Sequence, residues 1–141
     1  MTKFLAMPAG DRRLLLRALC LVFAFRVVLR VMDWSRIRAL AARSEGPSTV
    51  LAKLAPARLA WAVQAAARRV PGATCLTQSF ALRHMLAKAG HAAEIRIGVA
   101  KSGHGGLDSH AWVVCHGRVL VGDTGDLARY QPILSMGTRR A

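Results

Sequence analysis

At Gly90 the spacing of the apolar residues changes, and that change limits what this chain can fold into. Before it, "CLTQSFALRHMLAKAG" sets Leu76, Phe80 and Met85 on one helical stripe. Lys88 sits in the last turn and Gly90 follows as terminator. After it, "AEIRIGVA" puts Ile95, Ile97 and Val99 on one side at period two, the mark of a strand. "HAWVVC" and "RVLVGD" read as two further strands, and the His116-Gly117 pair between them suits a tight primed turn. The order is helices first and then at least three antiparallel strands, an α+β arrangement with a helical N-terminal half and a small sheet.

The helical half has its own punctuation. Asp11 is placed to cap a helix over residues 12–32. Asp33 or Ser35 starts a second short helix with Ile37 and Leu40 on one face. "RSEGPST" is a loop. Pro56 breaks the pattern before a helix over 57–70. "PGAT" stops and restarts the chain, with Thr74 or a neighbour as the next cap. A length of 141 residues with 53% apolar content suits one domain. Its parts are a helical segment 1–70, a segment 71–134 with the Cys-bearing helix and the strands, and a frayed basic tail 135–141. The run "LLLRALCLVFAFRVVLRVM" is too interrupted by Arg17, Arg26 and Arg30 to span a bilayer. It is expected to dock on protein, with peripheral membrane contact through its arginines as the other option.

Charge is lopsided, with 21 Lys and Arg against 7 Asp and Glu, a formal +14. Such a surface favours acidic partners, although an arginine-rich composition alone also produces it. No nucleic-acid motif is present and aromatic content is 6%, too little for a stacking platform, so no nucleic-acid partner is expected. Cys20, Cys75 and Cys115 are an odd number without CxxC spacing. That argues against a disulfide framework and a structural zinc site, and for a reducing, cytoplasmic setting. The histidines and cysteines lack ligand spacing, so neither metal nor cofactor is expected.

With a two-residue turn at His116-Gly117, Cys115 faces Arg118, Val114 faces Val119 and Trp112 faces Val121. His110 then falls opposite Asp123, and opposed residues share a face with Cβ atoms about 5 Å apart. A slip of one residue destroys this pairing. The same parity turns Cys115 to the other face as a small core residue, and Cys20 reads likewise. Cys75 differs, because it opens a helix. Unpaired N–H groups and the positive helix end stabilise a thiolate and can hold an oxyanion. A Cys at a helix start, then a strand His and a neighbouring strand Asp, is the chain order of papain-like and transglutaminase-like sites. Each residue also has a plainer reading: Cys75 as an inert helix residue, His110 as a satisfied strand histidine, Asp123 as a turn residue in "GDTGD". His84 and His91 read as solvated, and His104 as loop material able to touch substrate.

"CLTQSFALRHMLAKAGHAAEIRIGV", "HAWVVCHGRVLVGD" and "YQPIL" together resemble the split, stand-alone B protein of lasso-peptide biosynthesis, a transglutaminase-like leader peptidase. The resemblance covers 71–134. It implies a papain/transglutaminase-like cysteine peptidase core that removes the leader from a ribosomally made precursor. It also implies two partners, a separate leader-recognition protein and an asparagine-synthetase-like macrolactam cyclase. By motif, Cys75 matches the nucleophile, His110 the base and Asp123 the orienting acid; Asp126 or a backbone carbonyl are the alternatives for the last role. Acyl transfer to an amine, and a non-enzymatic basic module binding nucleic acid or anionic membrane, are the competing functions.

Overall fold

The computed structural model describes residues 6–33, 35–37, 39, 54–103, 105–122, 125 and 127–137. Among them are three long helices followed by four strands. They are α1 (Ala9–Val31), α2 (Pro56–Ala67), α3 (Cys75–Lys88), β1 (Ala93–Lys101), β2 (Leu107–Cys115), β3 (Arg118–Val121) and β4 (Gln131–Gly137). A short 3-10 turn, Leu127–Arg129, precedes β4, and residues 35–37 are helical. The fold class is α+β, as the switch at Gly90 implies.

Three ends of the helices follow from single residues. Thr74 caps α3, its hydroxyl accepting the N–H of Thr77 at 3.3 Å. At the other end Gly90 has φ +88°. The N–H of Gly90 reaches the Ala87 carbonyl and that of His91 the Leu86 carbonyl, closing a Schellman stop. Pro56 is the first residue of α2, where its missing N–H costs nothing. The start of α1 differs from expectation. The helix begins at Ala9 behind Pro8, with no side-chain cap. Asp11 lies in the first turn and pairs with Arg58 of α2, so its carboxylate ties two helices together rather than capping one.

The sheet is antiparallel in the order β3-β2-β1-β4. The ladder between β1 and β2 is unbroken from Ala93↔Cys115 to Lys101↔Leu107. Alternation turns Ile95, Val113 and Cys115 towards the helices, where they join Leu15, Phe80, Met85 and Leu86 in one buried cluster. Each large side chain buried there contributes about 1.5–3 kcal/mol.

Two strand expectations are corrected. Residues 135–137, read as part of a frayed tail, belong to β4, which lies along the outer edge of β1 with Met136 opposite Ile95. Pro132 obscured that strand, but an edge strand accommodates a residue with no N–H to donate. The β2–β3 hairpin starts as read, with Cys115↔Arg118 and Val114↔Val119, and then shifts. Val113, not Trp112, pairs with Val121, because Leu120 is an extra residue in β3.

Candidate active site

Cys75 is the first residue of α3 and is half-buried. Thr74 accepts one of the free N–H groups of this helix start, and the Ser79 hydroxyl donates to the Cys75 carbonyl at 2.7 Å. The position therefore combines a fixed backbone, a helix N-terminus and solvent access. Cys20, read as a small core residue, is instead exposed on α1, on the side away from the core. Cys115 is buried, and burial pushes its thiol up, which keeps it protonated at neutral pH.

His110 sits on β2 directly opposite Gly98 of β1. Its Nε2 lies 2.5 Å from the carbonyl oxygen of Gly122. A carbonyl only accepts, so Nε2 carries the proton and donates it, and Nδ1 is left with the lone pair of the neutral ring. The bulge in β3 creates this contact. It carries the chain past Leu120 so that Gly122 arrives beside β2 with φ +90°. A Cβ at Gly122 would stand 2.5 Å from the Ala111 carbonyl oxygen, so only glycine fits there.

Aromatic rings hold the imidazole from the side. The ring centroid of Trp112 is 6.1 Å from that of His110 at an interplanar angle of 22°, and that of Tyr130 is 5.4 Å away. Tyr130 is itself gripped: Arg129 donates to its hydroxyl at 2.9 Å and to Asp108 at 3.3 Å. Gly98 completes the cluster, since a Cβ there would come within 3.0 Å of both Trp112 and Tyr130.

Asp123, Asp126 and His104 lie outside the described residues. The ladder that set His110 opposite Asp123 is broken by the bulge, and β3 ends at Val121. Cys75 belongs to the helical layer. His110 shares its side of β2 with Trp112 and Val114, away from Val113 and Cys115. Among the described residues no hydrogen bond joins the Cys75 thiol to the His110 ring. The sequence pattern alone missed Gly122, Trp112 and Tyr130. The glycine before Asp123 was the visible signal for the first, and "YQPIL" contained the last without showing its role. His91, read as solvated, instead meets the Leu54 carbonyl at 2.9 Å through Nε2.

A cavity of about 420 Å³ opens between the second half of α1 and the start of α3. Arg26, Leu29, Arg30, Gly72, Thr74 and Leu76 are among its walls, so it flanks Cys75 on both sides in sequence. The Arg26 guanidinium lies over Gly72, within 2.6 Å of where a Cβ would be. Among the described residues no three His, Cys, Asp or Glu side chains gather as metal ligands. No helix among them is long and apolar enough to cross a membrane.

Comparison with known proteins gives one match. The family model of the transglutaminase-like superfamily aligns with residues 19–135, from within α1 to within β4. No curated protein and no solved structure matches the chain. The superfamily consists in the main of cysteine-dependent enzymes, peptidases and acyltransferases among them. The match takes in the helix that opens with Cys75, the strand that carries His110, and Gly122 just after β3, and by it the chain belongs to the transglutaminase-like superfamily.

Proposed function

We propose that this chain is a cysteine peptidase that removes the leader from a ribosomally made lasso-peptide precursor. Cys75 is its nucleophile and His110 its base, and the Gly122 carbonyl orients the imidazole. The observation that carries the reading is the His110–Gly122 contact. It sets the tautomer a thiol-activating histidine needs, with the basic nitrogen free and the other engaged. Asp123 and Asp126 follow Gly122 closely in sequence and are the side chains that can support the same ring.

Lengths along the chain give thiol and imidazole similar distances from the α3–β1 connection. From the α3–β1 connection, Cys75 is fourteen helical residues away, about 21 Å. His110, opposite Gly98, is five strand residues away, about 17 Å. In the free chain the two groups are not hydrogen-bonded and His110 lies on the side of β2 away from the helices, so the reading requires the end of β2 to turn its imidazole towards α3 when substrate binds. In the closed complex the thiolate adds to the carbonyl carbon at the leader–core junction, and α3 N–H groups hold the oxyanion. The C–N bond then breaks as His110 gives its proton to the leaving amine. Water, deprotonated by His110, hydrolyses the thioester and restores the thiol.

Arg26 and Arg30 line the cavity beside Cys75, which suits an acidic leader segment. Proposed partners are a separate leader-recognition protein and an asparagine-synthetase-like cyclase that consumes the released core. Acyl transfer to an amine is the second reading, favoured by the superfamily itself, and differs only in what captures the thioester.

The test is mass spectrometry of a lasso precursor incubated with this protein and its recognition partner. Cleavage at one bond, reduced about 10⁴-fold or more in Cys75→Ala, is the expected result. A product heavier by an amine would move the assignment to acyl transfer. Equal cleavage by Cys75→Ala would remove Cys75 from the reaction.

A further inference from the structure

Helix α1 is apolar on two opposite faces. Leu14, Leu15, Ala18 and Val22 are buried against the rest of the chain. On the far side Leu16, Phe23, Val27 and Val31 are 51%, 61%, 44% and 73% exposed, and Cys20 is exposed among them. At 3.6 residues per turn these five fall within an arc of about 80°, roughly opposite the buried face. They form a continuous outward stripe along a helix of 23 residues, about 34 Å long.

What flanks the stripe identifies what covers it. Arg12 borders one side, and Arg13 and Arg17 the other. The helix has one acid, Asp11, which points away from the stripe to Arg58 of α2. Beyond the weak donor of the Cys20 thiol, the stripe offers no group for directional hydrogen bonding. A second copy would bring arginine borders and +14 surfaces against each other. Apolar residues dipped into acyl chains, with long cationic side chains reaching outwards to phosphates on both borders, are how a helix lies in a bilayer interface. No helix among the described residues is long and apolar enough to cross a membrane, so this contact is with the surface.

We propose that the outer face of α1, the stripe Leu16–Cys20–Phe23–Val27–Val31 with its arginine borders, docks the protein on an anionic lipid surface. The chain then works at the membrane through a surface that leaves Cys75 and His110 untouched.

The experiment is flotation of the full-length protein with vesicles of phosphatidylcholine alone, or of phosphatidylcholine with one quarter phosphatidylglycerol. Two double variants accompany it, Phe23→Ser/Val27→Ser and Arg13→Gln/Arg17→Gln. Circular dichroism checks their folding, and the arginine pair keeps the test valid if the apolar pair fails to fold. Wild-type protein is expected to float with the anionic vesicles alone. Each double variant is expected to bind at least about tenfold more weakly, since each interfacial arginine and each buried apolar side chain carries a several-fold effect. Equal binding to both vesicle types would overturn the proposal. So would variants that bind like the wild type, which would assign binding to charge elsewhere. Absence of vesicle binding would overturn it too. A concentration-dependent dimer lost in Phe23→Ser/Val27→Ser would then give the stripe to a second copy, and a monomer would leave it to an acidic protein.

Discussion

The start of α3 and the end of β3 supply the two halves of the candidate site, and they are built in different ways. At the start of α3 everything is local. Thr74 caps, Cys75 follows, and the Pro71-Gly72 turn precedes them. At the end of β3 the outcome depends on the neighbouring strand. Leu120 bulges, and Gly122 swings its carbonyl onto a histidine twelve residues earlier. A nucleophile placed by its immediate neighbours is readable from a short quotation of sequence. An orienting group placed by a bulge is not, because the register of a hairpin beyond its first pairs depends on side chains across the sheet.

The largest effect that would break this comparison comes from Gly122→Ala. The new Cβ meets the Ala111 carbonyl at 2.5 Å and the φ of +90° strains any L side chain. Stability should drop by about 1–3 kcal/mol on urea unfolding. Cleavage should drop by about 100-fold, as the ring loses its anchor and tautomer. Near-normal activity in a folded Gly122→Ala protein would mean that the His110 contact is structural decoration.

Asp123→Asn sharpens the question of what orients the ring. With the carbonyl as anchor, the loss in kcat/KM stays within about tenfold. A sole acid anchor would cost about 10⁴-fold. The same measurement on Asp126→Asn separates the two carboxylates.

Thr74→Ala carries the smallest effect, on the local side of the comparison. It removes one cap bond and should cost about 1 kcal/mol of stability in a thermal melt. If it lowers Tm by no more than a fraction of a degree, the capped start of α3 is not what fixes Cys75.

Much of the fold was legible. The change of period at Gly90, the Thr74 cap, Pro56 at a helix start and the first two pairs of the hairpin follow from local rules, and all appear in the structure. The misses share a cause. Asp11 reads as a cap by residue type, but Arg58, far along the chain, takes its carboxylate. The last residues of β4, 135–137, read as tail because Pro132 and the serine and methionine after it give no clean alternation, and only the edge of β1 makes a strand of them. Tyr130 gains its place beside His110 from Gly98 and Arg129, neither of which signals a site on its own.

In the proposed mechanism His110 activates Cys75 once substrate is bound, so the measurement to make is single-turnover formation of the Cys75 thioester. Saturating precursor and the recognition partner are mixed with wild type or His110→Gln, quenched at intervals and read by peptide mass spectrometry. Wild type is expected to form the thioester at least about 10³-fold faster than His110→Gln. Equal rates in the two proteins, or a thioester on a cysteine other than Cys75, would contradict the mechanism.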